Sequence, residues 1–161
     1  VMNKHIPNLY NTLLILSRNI FFYKNIKLKD TFETRIYLMF LHYSIILQIL
    51  KLKKVKFNQN SYDKLFLTIE NNIREMGYGD VAVNKKMKEM NKIFYDILLK
   101  FNNSKNSFEL NNVLIFKYFD EFNNRDSQEY ADFKQYFLKF YKFCFELSPD
   151  IMLEEAIKYK Y

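Results

Sequence analysis

Glycine and proline are scarce in this sequence, which contains two of each among its 161 residues. Tight hairpin turns depend on glycine, asparagine-glycine pairs or proline, so this chain has little material for a meandering β-sheet. At 49% hydrophobic residues, the chain is also too apolar to remain disordered. These two observations favour a folded, helical protein.

Cysteine occurs once, at position 144. A single cysteine excludes a disulfide within the chain and fits a reducing compartment. Cys144 lies between Phe143 and Phe145, and such apolar neighbours favour a buried thiol over a reactive nucleophile.

Residues that carry catalysis or bind cofactors form no recognisable arrangement. The two histidines, His5 and His42, are far apart, and with one cysteine they give no clustered set of metal ligands. The sequence has no GxSxG, P-loop or HExxH, and the Gly-Tyr-Gly at 77–79 follows a helical pattern rather than a strand. His42, among apolar neighbours, is predicted to be a hydrogen-bonded core residue. We therefore expect no catalytic residues, no metal, no cofactor and no enzymatic activity.

No run of apolar residues reaches the roughly 20 that a membrane-spanning helix needs. The longest, residues 37–50, is interrupted by His42 and Gln48 and predicts a buried core helix. Acidic residues are absent from the first 29 positions, as in a transit peptide. Leu, Ile and Phe recur there at helical spacing, which favours a first folded helix.

The charge is unbalanced, with a formal net charge of +7. A basic protein attracts anionic partners, such as nucleic acid, the ribosome, anionic lipid or an acidic protein surface. A lysine- and asparagine-rich, AT-biased genome gives the same composition by drift, and both explanations stay open. At this length, with no linker and no internal repeat, the chain is expected to form one domain over residues 1–161.

Helical periodicity covers most of the chain and predicts an all-α fold of about seven helices with no significant sheet. Residues 54–60 are predicted to form a polar loop. The predicted helices cover residues 7–23, 30–53, 61–76, 84–101, 106–122, 126–147 and a last segment from 148. Their predicted first-turn proline and N-caps are Pro7, Asp30, Ser61, Asn106, Asp126 and Ser148.

Both glycines lie in one short segment, at positions 77 and 79. Gly77 fits the left-handed position that ends a helix. Gly79 is required only if the backbone again has a positive φ, or if another chain comes close. Asp80 is expected to turn back and cap nearby N–H groups. Val81 and Val83 are expected to pin this loop to the core, so that it is fixed.

Three lysines follow the glycines, in the predicted first turn of the next helix, where the helix dipole is already positive. Lys85, Lys86 and Lys88 therefore need a negative group nearby. Glu75 or Asp80 could supply it within the chain; otherwise the site suits an anionic or carbonyl-rich partner.

The segment 71–90, NNIREMGYGDVAVNKKMKEM, resembles the signature of the ubiquinol–cytochrome c chaperone family, an L-R-E-M-G-V-G-D run followed by a small apolar pair and K-x-M-K. The matching positions are Arg74, Glu75, Met76, Gly77, Gly79, Asp80, Lys86, Met87 and Lys88. Weaker matches occur in the family's order at 17–23, 30–35, His42 and 94–101, so the resemblance covers roughly residues 9–122.

The chain departs from the family pattern at several places. Asn84 replaces a proline, Thr34 replaces the glycine before Arg35, and residues 96–97 are Asp-Ile instead of Gly-Arg. The basic Arg-Arg end of the second helix is here KLKK, residues 51–54. These differences bear on fine specificity rather than on the family.

The resemblance implies an assembly chaperone. Family members bind newly made cytochrome b until it enters ubiquinol–cytochrome c reductase (complex III), and mitochondrial members act at the ribosomal tunnel exit with a small partner protein. It implies a cytoplasmic protein, peripheral at the inner membrane of an alphaproteobacterial-type cell, or a matrix protein if the lineage is organellar. DNA is not an expected partner.

We expect the client to contact the edge formed by residues 74–88. Arg74 and Lys86 would engage carbonyl or acidic groups of the client, while Glu75 and Asp80 would shape the loop. Methionine surfaces re-pack around varied clients, although each methionine also suits core filling. The candidates are Met39, Met76, Met87 and Met90.

The alternative function is a basic helical module that binds RNA or the ribosome. It predicts a steep salt dependence of binding, because phosphate contacts release counterions. The basic residues are spread along the chain rather than gathered in one arginine-rich strip, which favours the chaperone.

Overall fold

A computed structural model describes residues 8–101, 108–122 and 127–161, and these residues form helices and connecting segments without a strand. The prediction of an all-α fold is therefore confirmed. The helices are α1 (Leu9–Ser17), α2 (Ile20–Lys24), α3 (Phe32–Leu52), α4 (Gln59–Glu75), α5 (Asp80–Phe101), α6 (Asn112–Tyr118), α7 (Gln128–Phe145), a 3-10 helix (Pro149–Ile151) and α8 (Met152–Ala156).

Short polar side chains start the helices by accepting a hydrogen bond from a first-turn N–H group. The observed caps of this kind are Asn8, Asn19, Thr31, Asn58, Asn111 and Ser127. Two predicted caps are therefore wrong. The cap of α3 is Thr31, one residue after the predicted Asp30, and the cap of α4 is Asn58, three residues before the predicted Ser61. Predicted Pro7, Asn106 and Asp126 lie outside the described residues.

The first predicted helix is in fact two helices. α1 ends at Ser17, whose hydroxyl donates to the carbonyl of Leu13 at 2.7 Å, and Asn19 caps α2. The Tyr23 hydroxyl donates to the Ser17 carbonyl at 2.8 Å, which holds the two helices at the break. Ile20, the first residue of α2, is 68% exposed, so the helical spacing of apolar residues does not continue as one buried face across the break.

α3 is the central helix and packs against α1, α5 and α7. By length and composition it is the one described helix that could cross a membrane, but 67% of its most apolar window is buried within the protein. It therefore has the burial expected of a core helix, as residues 37–50 predicted.

Aromatic side chains from α2 and α7 surround His42 of α3 in the middle of the core. Rings of Phe22, Phe137 and Phe140 lie within 5.9 Å of the His42 ring, centroid to centroid. The Leu38 carbonyl lies 2.6 Å from Nδ1, so this nitrogen carries the proton, and Nε2 accepts from the Tyr136 hydroxyl at 2.8 Å. Burial lowers the pKa of His42 to about 4. The prediction of a hydrogen-bonded core histidine is confirmed.

Cys144 is also in this core. Its side chain is fully buried, and burial raises the pKa of the thiol to about 12. An unreactive, buried cysteine is what its aromatic neighbours predicted.

Candidate functional site

The glycine segment forms the corner between α4 and α5. α4 ends at Glu75, and Gly77 follows with a φ of +98°. The Gly77 N–H donates to the Arg74 carbonyl at 2.9 Å, which closes the last turn of the helix. Gly77 is therefore the left-handed helix end that its position predicted.

Gly79 has a different role. Its φ is not positive, and an added Cβ would meet no atom within 4 Å, so neither predicted reason for a glycine holds within the chain. Its carbonyl accepts from the Val83 N–H at 2.9 Å, which makes it the residue preceding the first turn of α5. Glycine is an acceptable N-cap, and here it leaves an open surface.

α5 begins at Asp80, four residues earlier than predicted. Lys85, Lys86 and Lys88 therefore lie beyond its first turn, and the predicted conflict with the helix dipole does not arise. Asp80 supplies the negative charge that the first turn favours. The helix continues through residues 80–83 because Val83 is fully buried and anchors this turn to the core.

Arg74 links the two helices. Its guanidinium forms an ion pair with the Asp80 carboxylate across the corner, and a second, at 3.6 Å, with Glu70 one turn back in α4. Asp80 thus pairs with Arg74 instead of capping loop N–H groups as predicted. The ion pair with Asp80 bridges the corner, and the Arg74 side chain remains 41% exposed, so its contact with a client stays a prediction.

Lys86 extends back over the corner. Its ammonium lies 4.7 Å from the centre of the Tyr78 ring, within the range of a cation–π contact. Lys88 is exposed and, two residues further along the helix, points about 200° away from Lys86. Met87 is half-buried and packs against the core. The structure therefore brings Lys86 to the corner and leaves Met87 and Lys88 outside it.

Apolar side chains project from the corner into solvent. Residues 74–81 are all exposed, with Met76 at 51%, Tyr78 at 41% and Val81 at 85%. The expectation that Val81 pins the loop is wrong, because in a helix beginning at Asp80 it lies on the opposite side from Val83. Tyr78 and Val81 were not among the predicted site residues; apolar side chains beside two glycines are the signal that could have identified them.

The other methionine candidates are mostly core residues. Met39 and Met90 are 1% and 4% exposed, so they fill the interior and offer no adaptable surface. Only Met76 among the four is an exposed side chain at the corner.

A second surface feature lies at the opposite end of α4. An apolar cavity of about 400 Å³ opens between α1, the end of α3, the start of α4 and the C-terminal helices. Val55 and Phe57 line it, although their segment was predicted to be a polar loop. Their alternation with lysines in residues 54–57 was the available signal. With 17 residues in α4, the cavity and the corner are separated by about 25 Å.

The described residues contain no cluster of three or more histidine, cysteine or acidic side chains that could hold a metal ion. A family model described as ubiquinol-cytochrome C chaperone matches residues 24–148, well over half of the 161-residue chain. This match begins later and ends later than the resemblance predicted from residues 9–122, and it includes the whole corner. Searches of curated proteins and of solved structures gave no match.

Proposed function

The chain belongs to the ubiquinol-cytochrome C chaperone family, and from this membership we propose that it binds newly made cytochrome b as a non-enzymatic assembly chaperone. The family membership gives it a chaperone role in ubiquinol–cytochrome c reductase assembly. Cytochrome b as the client, the absence of catalysis and the contact site are the parts that we propose.

We place the client contact at the α4–α5 corner, defined as residues 74–81 together with Lys86. The observation that carries this placement is the exposure of Met76, Tyr78 and Val81 on a segment that the Arg74–Asp80 ion pair bridges. A hydrophobic membrane protein presents apolar helix surfaces before it is inserted. Exposed apolar side chains on a preformed edge bind such surfaces with little ordering cost.

The polar residues of the corner then have distinct roles. Arg74 and Asp80 link the end of α4 to the start of α5, and Glu75 and Gly77 lie at the helix end between them. Lys86 places its ammonium beside the Tyr78 ring, where it meets carbonyl or acidic groups at the end of a client helix. Outside the corner, Met87 packs against the core, and Lys88 extends the basic surface along α5.

A site-specific photocrosslinker at Val81, in cells that make cytochrome b, tests the proposal. Val81 is the better position than its half-buried neighbour Ala82 because its side chain is 85% exposed. The same crosslinker at Val113, 71% exposed on α6, is the matched control. We expect a crosslink to cytochrome b from position 81 that is absent from position 113 and is reduced severalfold by Lys86→Glu.

Other outcomes assign the corner differently. Equal crosslinking from positions 81 and 113 would refute a specific contact at the corner. A crosslink only to ribosomal components would make the corner a docking edge near the tunnel exit and support the basic RNA- or ribosome-binding alternative. A crosslink to a small partner protein would place the heteromeric interface here, with the client elsewhere.

A further inference from the structure

The cavity at the far end of α4 is walled by apolar side chains. Ile46 and Leu50 of α3, Leu98 of α5 and Leu153 of α8 form its walls, and Phe57 lies at its rim. Its volume is about 400 Å³, whereas an apolar cavity of about 150 Å³ already binds benzene. The cavity is therefore large enough for an extended hydrocarbon chain.

The charged side chains that line the cavity, among the residues that the structure describes, are both basic. They are Lys51, in the last turn of α3, and Lys56, in the segment that follows it. No ion pair with a carboxylate occupies either ammonium group among the residues that the structure describes. The lining asparagine, Asn58, is used internally, since its side chain accepts from the Ser61 N–H at 3.1 Å.

The segment over the cavity is anchored rather than loose. The Lys53 ammonium donates to the carbonyls of Phe145 and Leu147 at 2.6 and 2.5 Å, which ties the end of α3 to the end of α7. Beside this anchor, Val55 and Phe57 remain 39% and 46% exposed at the cavity mouth. The cavity is thus preformed and reachable from solvent.

We propose that this cavity binds an acyl chain of an anionic phospholipid at a membrane surface, with Lys51 and Lys56 at the head group. Charge complementarity selects this occupant. Within the described part of the chain, the apolar interior has two lysines without an ion pair and no carboxylate in its lining, which matches an aliphatic chain with one anionic head. The exposed Val55 and Phe57 enter the interfacial layer beside the lipid, and Lys54 adds a third exposed cation there. This site is separate from the proposed client contact.

Two binding measurements on the full chain test the proposal. In the first, cis-parinaric acid, whose fluorescence rises in apolar sites, is titrated into the protein. In the second, the protein is floated with vesicles of pure phosphatidylcholine and with vesicles that also contain phosphatidylglycerol. We expect saturable fatty-acid binding and flotation only with the phosphatidylglycerol vesicles.

Three variants separate the cavity from the general positive charge. Ser61→Phe fills the cavity from a half-buried position and should abolish fatty-acid binding. The Lys51→Glu, Lys56→Glu pair should weaken vesicle binding at least tenfold. The control pair, Lys85→Glu with Lys92→Glu, changes the net charge equally on exposed lysines of α5 and should leave vesicle binding unchanged. Circular dichroism melting identifies any variant that fails to fold.

Four other results would overturn the proposal that the cavity binds a membrane phospholipid. Equal losses from the two lysine pairs would show that net charge alone attracts the vesicles. Fatty-acid binding without flotation would assign the cavity to a free fatty acid and overturn the membrane source. Displacement of cis-parinaric acid by an apolar cytochrome b peptide, without flotation, would make the cavity a peptide site. If folded Ser61→Phe still bound cis-parinaric acid, the cavity would not be the site.

Discussion

The two glycines, two positions apart, are present for different physical reasons. Gly77 occupies a left-handed backbone conformation, with a φ of +98°, whereas Gly79 does not have a positive φ and has open space around it. Elsewhere the chain places lysines at left-handed positions, Lys27 with φ 66° and Lys54 with φ 59°. Three described residues, Gly77, Lys27 and Lys54, therefore have a left-handed backbone, and residue type predicted only Gly77.

We expect Gly77→Ala to lower the free energy of unfolding by about 1 kcal/mol, because an L side chain is strained at that φ. Gly79→Ser should be neutral or slightly stabilising, since serine is a better N-cap than glycine and meets no neighbour. Urea denaturation of both variants measures the difference. Equal destabilisation of the two variants would contradict the distinct roles of Gly77 and Gly79. A stable Gly79→Ser protein with weaker client crosslinking would show that the client contacts the open surface at Gly79.

Among the helical elements, the predicted and observed positions differ most at the helix starts. The chain has many asparagines, serines and aspartates, so several neighbouring residues offer a side chain suited to a cap. The structure selects the one with extended backbone angles and an N–H group within reach, such as Thr31 rather than Asp30 and Asn58 rather than Ser61. Residue type alone does not distinguish these neighbouring candidates.

Two serines at helix starts provide a matched test. The Ser127 hydroxyl accepts from the Tyr130 N–H at 3.2 Å at the start of α7, whereas Ser148, before the 3-10 helix, makes no capping bond with its side chain. Ser127→Ala should therefore lower the free energy of unfolding by about 1 kcal/mol, and Ser148→Ala should change it little. Chemical denaturation compares them, and equal effects would show that the Ser127 cap adds no stability.

At the scale of the whole molecule, stability depends on an aromatic core built around a neutral imidazole. His42 of α3 is fully buried against α2 and α7, with hydrogen bonds on both ring nitrogens. Protonation would give Nε2 a hydrogen that faces the hydroxyl of Tyr136 and would place a charge in apolar surroundings. Acid should therefore weaken the entire fold through this one group.

The direction of that pH dependence follows from the two pKa values. In the unfolded chain His42 takes up a proton near its ordinary pKa of 6.5, whereas in the folded protein it resists until about pH 4. The contribution of His42 to the free energy of unfolding is complete above pH 6.5. Roughly 3 kcal/mol of this free energy is lost as the pH falls toward 4. Urea denaturation across this range should show the loss in the wild type and a much smaller one in His42→Gln. The same slope in both proteins would assign the effect to carboxylates.

The site was predictable in part. The motif in residues 71–90 located the corner and its family, and it identified Gly77 as the helix end. It could not show that Arg74 is paired with Asp80, or that Lys86 returns to Tyr78, because both contacts depend on how α5 crosses the end of α4. That residues 1–161 form a single domain stays a prediction.

The sequence by itself determined the helical class, the burial of the long apolar helix and the family. Periodicity of 3.6 residues and a paucity of glycine and proline are local properties, and each predicts structure without knowledge of packing partners. Only the tertiary structure decided that Val81 is exposed while Val83 is buried, that the first helix breaks near Asn19, and that Val55 and Phe57 border a cavity. The physical reason is that exposure at helix ends and voids between helices depend on crossing angles and distances, which several distant segments set together.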